Sequence, residues 1–284
     1  KKPNKELQID KCVGCGLCEN VCIKNHIKTK PSLHEVDNNE CFECGHCMAI
    51  CPTGTITLKI YENQQERVEK YDATNIPIET NDLLQLYKQR RSIRWFKNKL
   101  IDEKTFNTLF EAAYYSPSAQ NIQDTEFVVI TKELDEFIEF IYRIIKEDED
   151  KFPRIKQLGE YLQDKTSYKH NPLLWEGKQL ILGFSTDITS TIIAMTRLEL
   201  LAYSMGLGGF YSFFIQKADV INHDKLMEFF PYIDSNKHMQ CAFIIGYPRK
   251  KFKRTIPHTT IKITYKSLIL PIILKKNNKM IKYY

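Results

Sequence analysis

The chain has 284 residues, of which 43% are hydrophobic and 27% charged, so it is long enough for one small and one medium domain. Its net charge of +6 is spread along the sequence without a basic helix that carries interleaved aromatic residues, which argues against a nucleic-acid partner. The apolar stretch at residues 268–274 is too short to span a bilayer, and no apolar signal segment precedes the first cysteine, so we expect a cytoplasmic protein without a membrane span.

Eight of the nine cysteines lie between residues 12 and 51 and form two runs with the same spacing. Each run reads C-x2-C-x2-C-x3-C, which is the spacing that places thiolates around a cubane iron–sulfur cluster. Each cysteine of the second run lies 29 positions after its counterpart in the first, so the segment is an internal duplication. The two runs are Cys12, Cys15, Cys18 and Cys22, followed by Cys41, Cys44, Cys47 and Cys51.

Two other roles of clustered cysteines fit this pattern less well. A structural zinc site usually takes its four ligands as two separated pairs. A disulfide framework requires an oxidising compartment and normally a short secreted chain. The long, doubled motif therefore predicts two [4Fe-4S] clusters.

Residues 5–60 resemble the bacterial two-cluster ferredoxins, down to the sequence Cys-Pro-Thr-Gly at residues 51–54. In that family the fourth cysteine of each run binds the other cluster. The resemblance therefore implies one site of Cys12, Cys15, Cys18 and Cys51 (cluster 1) and a second of Cys22, Cys41, Cys44 and Cys47 (cluster 2). Gly16 and Gly45 fall at equivalent places, where they either let backbone N–H groups approach the cluster sulfur or serve as turn glycines. Ile23 stands where the family often has a proline.

A polar, charged segment follows the cysteine motif. Residues 61–80 are predicted to be a linker between a ferredoxin domain at residues 1–60 and a second domain at residues 81–284. Asn81 and Asp82 are predicted to cap the first helix of that domain. A basic tail from about residue 258 either wraps a partner subunit or is a frayed end.

Three arginines and a serine lie together at residues 90–94, at the end of this predicted helix. Planar guanidinium groups and a hydroxyl suit a bound phosphate, although a basic helix end that complements the helix dipole is the alternative. A further helix is predicted at residues 102–115. It is followed by a small polar loop at residues 116–123 and a buried strand at residues 127–130.

The sequence Arg-Arg-Ser-x-Arg-x-Phe at residues 90–96, followed by Ser-Pro-Ser-Ala-x-Asn at residues 116–121, resembles the nitroreductase family of FMN oxidoreductases. The resemblance covers residues 82–257. Its later landmarks come in order: a strand at 180–185, a helix at 188–205, a glycine-rich end at 206–209 and a strand at 241–245. It implies an α+β sandwich of a mainly antiparallel sheet with flanking helices, and two FMN sites at a homodimer interface.

The resemblance also implies roles for particular residues in binding FMN. The phosphate, ribityl chain and ring edge would be held by Arg90, Arg91, Ser92 and Arg94, with Arg254 approaching the phosphate from the C-terminal side. The flavin would be contacted, in this family often across the dimer interface, by Pro117, Ser118, Ala119 and Asn121. Its face or its N5 atom would lie near Gly208, Gly209 and Tyr211. His170 and Asn171 either reach the flavin or lie at the surface, and we expect them at the surface.

Together, the two resemblances imply an enzyme that uses FMN and iron–sulfur clusters. A flavin needs two electrons for full reduction and each cubane cluster carries one, so we expect the clusters to relay electrons from a low-potential donor to FMN. FMN would then reduce a small organic acceptor, such as a nitroaromatic or a quinone, in an anaerobe. The alternative is a non-catalytic electron-transfer or redox-sensing protein. No G-x-G-x-x-G motif follows a strand, so no dedicated nicotinamide domain is predicted.

Overall fold

The computed structural model describes residues 5–7, 11–30, 33–36, 41–72, 74–257 and 262–265. The chain divides into a compact unit, Lys1–Phe252, and a second unit, Lys253–Tyr284. Most of the predicted C-terminal tail lies outside the described residues. Within the part of the chain that is described, no helix is long and apolar enough to cross a membrane.

The segment with the doubled cysteine motif folds as two similar halves. Its described elements are β1 (Lys5–Leu7), α1 (Leu17–Asn20), β2 (Ile27–Lys30), β3 (Leu33–Val36), α2 (His46–Ile50) and β4 (Ile56–Leu58). Strand β1 pairs with β4 and strand β2 with β3, both antiparallel. Helix α2 and strand β4 each begin 29 positions after α1 and β2, so the duplication in the sequence is also present in the backbone. A small buried core is formed by Ile27, Cys47, Ile56 and Leu58.

A 3-10 helical stretch, Lys59–Arg67, and helix α3 (Thr80–Gln89) lead into the second part of the chain. Residues 61–67, about the first third of the predicted linker, therefore lie in this stretch, which is kinked at Asn63 and Gln64. The predicted cap of α3 was wrong, because Glu79 is the N-cap residue and Asn81 and Asp82 lie in the first turn. The carboxylate of Asp82 is stabilised by the helix dipole anywhere in the first turn, so its presence does not fix the cap position.

The described strands of the second part form a four-stranded antiparallel sheet in the order β5-β6-β8-β7. The strands are β5 (Glu126–Ile130), β6 (Gln179–Ser185), β7 (Gly208–Tyr211) and β8 (His238–Gly246). The helices are α4 (Glu103–Tyr114), α5 (Leu134–Ile145), α6 (Pro153–Gln163), α7 (Ile188–Ser204), α8 (Phe213–Ile221) and α9 (His223–Met227).

Both faces of this sheet are covered by helices, because the central strands carry apolar side chains in both directions. On β6, Leu180, Leu182 and Phe184 point into a core with α5, α6 and α8. Between them, Ile181 points to the opposite face, into a core with α4 and α7 that also contains Phe243 of β8. This alternation follows from the two-residue period of a strand. The predicted α+β sandwich with an antiparallel sheet and flanking helices is therefore confirmed.

Candidate functional site

Two cavities in the N-terminal segment are each lined by four cysteines. The cysteines of the first are Cys12, Cys15, Cys18 and Cys51. The cysteines of the second are Cys22, Cys41, Cys44 and Cys47. In each cavity, three cysteines come from one run and the fourth from the other. The structure thus groups the cysteines into the same crossed sets that the ferredoxin resemblance implies.

Backbone N–H groups donate to the cysteine sulfurs at equivalent places in the two halves. Gly14 N lies 3.5 Å from Cys12 Sγ, and Glu43 N lies 3.4 Å from Cys41 Sγ. A second pair has His26 N at 3.3 Å from Cys22 Sγ and Thr55 N at 3.4 Å from Cys51 Sγ. Such donors stabilise a thiolate, which is the form that binds metal. The sites therefore fit iron–sulfur clusters in their chemistry as well as in their cysteine count.

Cys51 shows the effect of these donors on ionisation. Burial raises the pKa of its thiol, but hydrogen bonds from Thr53 and from the backbone N–H groups of Gly54 and Thr55 outweigh burial and lower that pKa to about 7. At Cys18, by contrast, burial dominates and raises the pKa. Cys51, which the second run contributes to the first cavity, therefore ionises more readily to the thiolate that binds metal.

Left-handed backbone conformations also repeat in the two halves. Gly16 and Gly45, which precede α1 and α2, both have a φ of 73°, so a turn requirement accounts for them. Gly14 has a φ of 67°, and its equivalent in the second half is Glu43, with a φ of 53°. A non-glycine residue in this region costs roughly 1–2 kcal/mol. The Glu43 carbonyl oxygen, however, accepts hydrogen bonds from Tyr61 Oη and Asn121 Nδ2, both at 3.0 Å.

These contacts join the second cysteine run to the loop at residues 117–121, here called the flavin loop after the role that the nitroreductase resemblance implies for it. Asn121, at the end of the 3-10 turn Ala119–Asn121, reaches Glu43, which lies between two cluster cysteines in the sequence. The neighbouring residue Ala119 donates its N–H to Ser190 Oγ on α7 at 3.3 Å. Ser118 Oγ accepts from the N–H of Gln123 at 3.0 Å, and Pro117 is exposed. The flavin loop therefore contacts both α7 and the second cysteine run.

A second contact with the N-terminal segment lies on helix α4. Arg67 forms an ion pair of 3.2 Å with Glu111, and its guanidinium lies 4.1 Å from the ring centre of Tyr114. The hydroxyl of Tyr114 donates to Gln64 Oε1 at 3.0 Å. Because Arg67 and Glu111 are exposed, the ion pair itself adds little stability, and its main effect is to orient the two segments that it joins.

Arg90 and Tyr211 are brought together by Glu199, a residue that the sequence analysis did not identify. Arg90 Nη1 lies 3.0 Å from Glu199 Oε1, and the hydroxyl of Tyr211 donates to Glu199 Oε2 at 3.2 Å. Glu199 is buried, with 8% of its surface exposed. Burial and the Glu199 carboxylate raise the pKa of Tyr211, which keeps its hydroxyl protonated. In the sequence, the one indication of a role for Glu199 was that it is a single acidic residue within an apolar stretch of α7.

The other residues of the arginine segment (residues 90–94) lie along β7. The backbone N–H of Ile93 donates to the carbonyl oxygen of Gly209 at 2.9 Å, which fixes the segment against the strand. Arg94 is exposed, and its guanidinium lies 5.1 Å from the ring centre of Phe210. Arg91 and Ser92 are half-buried. Arg254 is exposed and belongs to the second unit of the chain.

The arginine segment and the flavin loop contact α7 at separate points. Glu199, the partner of Arg90, lies nine residues after Ser190, the partner of Ala119. Since an α-helix rises 1.5 Å per residue, these two points are roughly 14 Å apart.

The expectation that Asn171 lies at the surface was wrong. Its side chain is buried, and its Oδ1 atom accepts hydrogen bonds from the backbone N–H groups of Leu173 and Leu174. Short amide side chains often bond to backbone groups two or three residues ahead, and here that turn is packed into the core. His170 is half-buried, with its Nδ1 atom 3.4 Å from Glu176 Oε1.

Gly208 and Gly209 have a packing role that is independent of any bound flavin. A Cβ atom added at Gly208 would lie 2.6 Å from Ile93 Cγ1. One added at Gly209 would lie 2.0 Å from the carbonyl oxygen of Ile244, a backbone atom that cannot rotate away. Both glycines thus allow β7 to pair closely with β8 and with the arginine segment.

We expect Gly209→Ala to destabilise the cofactor-free protein by at least about 2 kcal/mol, because the new methyl group forces β7 away from β8. Thermal unfolding of the apoprotein measures this. Val220→Ala is the control, since its side chain is 79% exposed and alanine favours a helix. An unchanged apoprotein that no longer binds FMN would show that Gly209 serves the cofactor instead.

Comparison with known proteins gives two family matches. The model described as "Nitroreductase family" matches residues 87–247, and the model described as "4Fe-4S dicluster domain" matches residues 11–55. One component of the ion-translocating oxidoreductase complex of Methanosarcina acetivorans is 42% identical over 48 residues, which are 17% of this chain and 18% of that component. An uncharacterized ferredoxin of Methanocaldococcus jannaschii is 34% identical over 65 residues, which are 22% of this chain and 84% of the ferredoxin.

Two solved structures share the fold of the second part. A nitroreductase with bound FMN from Bacteroides fragilis has a TM-score of 0.52 at 19% identity, covering 66% of this chain and 100% of its own. A nitroreductase with bound FMN from Desulfitobacterium hafniense has a TM-score of 0.52 at 18% identity, with the same coverage of 66% and 100%.

Proposed function

The chain belongs to the nitroreductase family and carries a 4Fe-4S dicluster domain before the family's own domain, and we propose that it is an FMN-dependent oxidoreductase supplied with electrons through its clusters. When bound, the clusters supply single electrons and FMN supplies two-electron reduction of a small organic acceptor. The observation that carries this proposal is the 3.0 Å hydrogen bond from Asn121 Nδ2 to the carbonyl oxygen of Glu43.

That contact supports a direct connection between the proposed flavin site and the second cluster site. Glu43 is adjacent to Cys44, which lines the second cavity, and Asn121 is in the flavin loop. Tyr61 donates to the same carbonyl oxygen, so the cluster loop is held from two sides. We therefore assign the cluster of Cys22, Cys41, Cys44 and Cys47 as the one nearer the flavin.

The flavin site that we propose uses the residues that the family resemblance implied. Arg90, with Glu199 fixing its orientation, and the neighbouring Arg91, Ser92 and Arg94 hold the phosphate and ribityl chain. The family resemblance implies a homodimer. In it, the arginine segment of one chain and the flavin loop of its partner bind the same FMN.

The relay is tested by rapid anaerobic mixing with a low-potential one-electron reductant while FMN reduction is followed by absorbance. We expect replacement of Cys41 and Cys44 by serine to slow FMN reduction at least ten-fold, because the second cluster can no longer form. Cys241→Ser is the control, since Cys241 is buried in the sheet away from both cysteine cavities. Equal rates in the cluster variant and the wild type would refute the relay.

A companion variant tests the contact itself. Asn121→Ala is expected to keep its iron and to slow FMN reduction, since the flavin loop loses its hydrogen bond to Glu43.

A panel of nitroaromatic and quinone acceptors distinguishes an enzyme from a non-catalytic electron carrier. A protein that reduces partner proteins but none of these small molecules would favour the carrier.

A further inference from the structure

The structure holds a cluster of metal-binding side chains that neither cofactor site uses. Asp219 at the end of α8, His223 at the start of α9 and His238 at the start of β8 converge, with candidate ligand atoms within 4.8 Å of one another. Asp219 Oδ1 lies 2.8 Å from His223 Nδ1, and Asp219 Oδ2 lies 2.8 Å from His238 Nδ1. The two imidazole ring centres are 4.2 Å apart.

The hydrogen bonds of His223 require a cation between its ring and Asp219. His223 Nε2 lies 2.8 Å from the carbonyl oxygen of Ser235, which only accepts, so Nε2 carries the proton. A neutral His223 then directs the lone pair of Nδ1 at an ionised carboxylate oxygen, which also only accepts. Two acceptors at 2.8 Å repel each other, so Nδ1 must either carry a proton of its own or share a bound metal ion with the carboxylate.

Three features suit a metal ion at this site. Asp219 is only 6% exposed, and its Oδ1 atom also accepts from the N–H of Met239 at 3.1 Å, so the carboxylate is buried and fixed. The bond from His223 Nε2 to a backbone carbonyl is the outer contact that metal-binding histidines usually make. His238 already completes the set, with Nδ1 at 2.8 Å from Asp219 Oδ2, and because it is half-exposed it leaves a coordination position open to water.

We propose that Asp219, His223 and His238 bind a divalent transition-metal ion, for which Zn²⁺ is the natural candidate. Two imidazole nitrogens and a carboxylate suit zinc, and no thiolate takes part, which separates this site from the cysteine cavities. The ion ties the junction of α8 and α9 to the first residue of β8. Its role is to hold the chain together there, independently of the proposed electron relay.

Elemental analysis of the full holoprotein tests the site. After anaerobic reconstitution with iron and sulfide and dialysis against micromolar zinc, we expect about one zinc per chain in addition to the cluster iron. His238→Ala is expected to weaken zinc binding at least ten-fold without loss of iron, and zinc should raise the melting temperature of the wild type but not of this variant. His170→Ala, a half-buried histidine paired with Glu176, is the matched control and should keep its zinc.

X-ray absorption at the zinc edge identifies the ligands. Bond lengths of about 2.0–2.1 Å, without a sulfur shell at about 2.3 Å, are expected for nitrogen and oxygen donors. A sulfur shell would show zinc in the cysteine cavities and would overturn the proposal. So would a wild-type protein that retains no zinc, since the cation between His223 and Asp219 would then be a proton.

Discussion

Replacing Cys12 and Cys51 together is expected to leave about four iron atoms per chain, whereas replacing Cys12 and Cys22 together is expected to leave almost none. Cys12 and Cys51 line the same cavity, so their joint loss removes one cluster. Cys22 lines the other cavity, so its loss together with Cys12 damages both clusters. Iron and sulfide analysis of serine variants, prepared without oxygen, measures the difference.

The opposite result has an equally clear meaning. If each run of four cysteines bound its own cluster, the Cys12 and Cys22 double variant would keep about four irons and the Cys12 and Cys51 variant almost none. Cys241→Ser controls for the general effect of losing a thiol, because Cys241 is buried between β6 and α7 residues of the second domain. It should keep about eight irons.

Phe243→Ala is expected to lower the free energy of unfolding of the second domain by about 3–5 kcal/mol. Phe243 is fully buried in β8, opposite Ile181 of β6, and its ring centre lies 4.9 Å from that of Tyr211. Truncation leaves a cavity at the centre of the sheet, where the backbone on both sides is fixed by strand pairing and cannot collapse.

Denaturant unfolding followed by circular dichroism measures this loss, with the iron–sulfur absorbance recorded separately because the two domains need not unfold together. Phe252→Ala is the matched control, since that side chain is 63% exposed and should change stability by less than about 0.5 kcal/mol. A similar small change at Phe243 would mean that the sheet does not pack as described.

The parts of the fold that could be predicted from sequence are those specified by local patterns. Strand β6 is a continuous apolar run, and helix α4 begins directly after Asp102, whose side chain accepts the N–H of Thr105 at 2.7 Å. The cysteine spacing likewise belongs to short segments of chain. Such patterns involve only a few neighbouring residues, so they can be recognised before the fold is known.

The parts that could not be predicted depend on residues distant in sequence. Glu199 is important only because α7 brings it to Arg90 and Tyr211. The three metal-binding candidates come from the ends of three different elements, and no spacing in the sequence links them. The Gly209 contact with Ile244 depends on strand register. Each of these is a tertiary relation that composition and periodicity do not encode.

The exchange of Gly14 for Glu43 at equivalent positions breaks the symmetry of the duplicated motif. The space around Gly14 is open within 4 Å of a Cβ, whereas the carbonyl of Glu43 is held by Tyr61 and Asn121. The two halves of the motif thus have the same cysteine spacing but different surroundings. The first half is on the outer side, next to the exposed Val13, and the second is on the inner side, which faces the rest of the chain. Under the proposed relay, this difference between the two sides implies that electrons pass from the outer cluster to the inner cluster and then to the flavin.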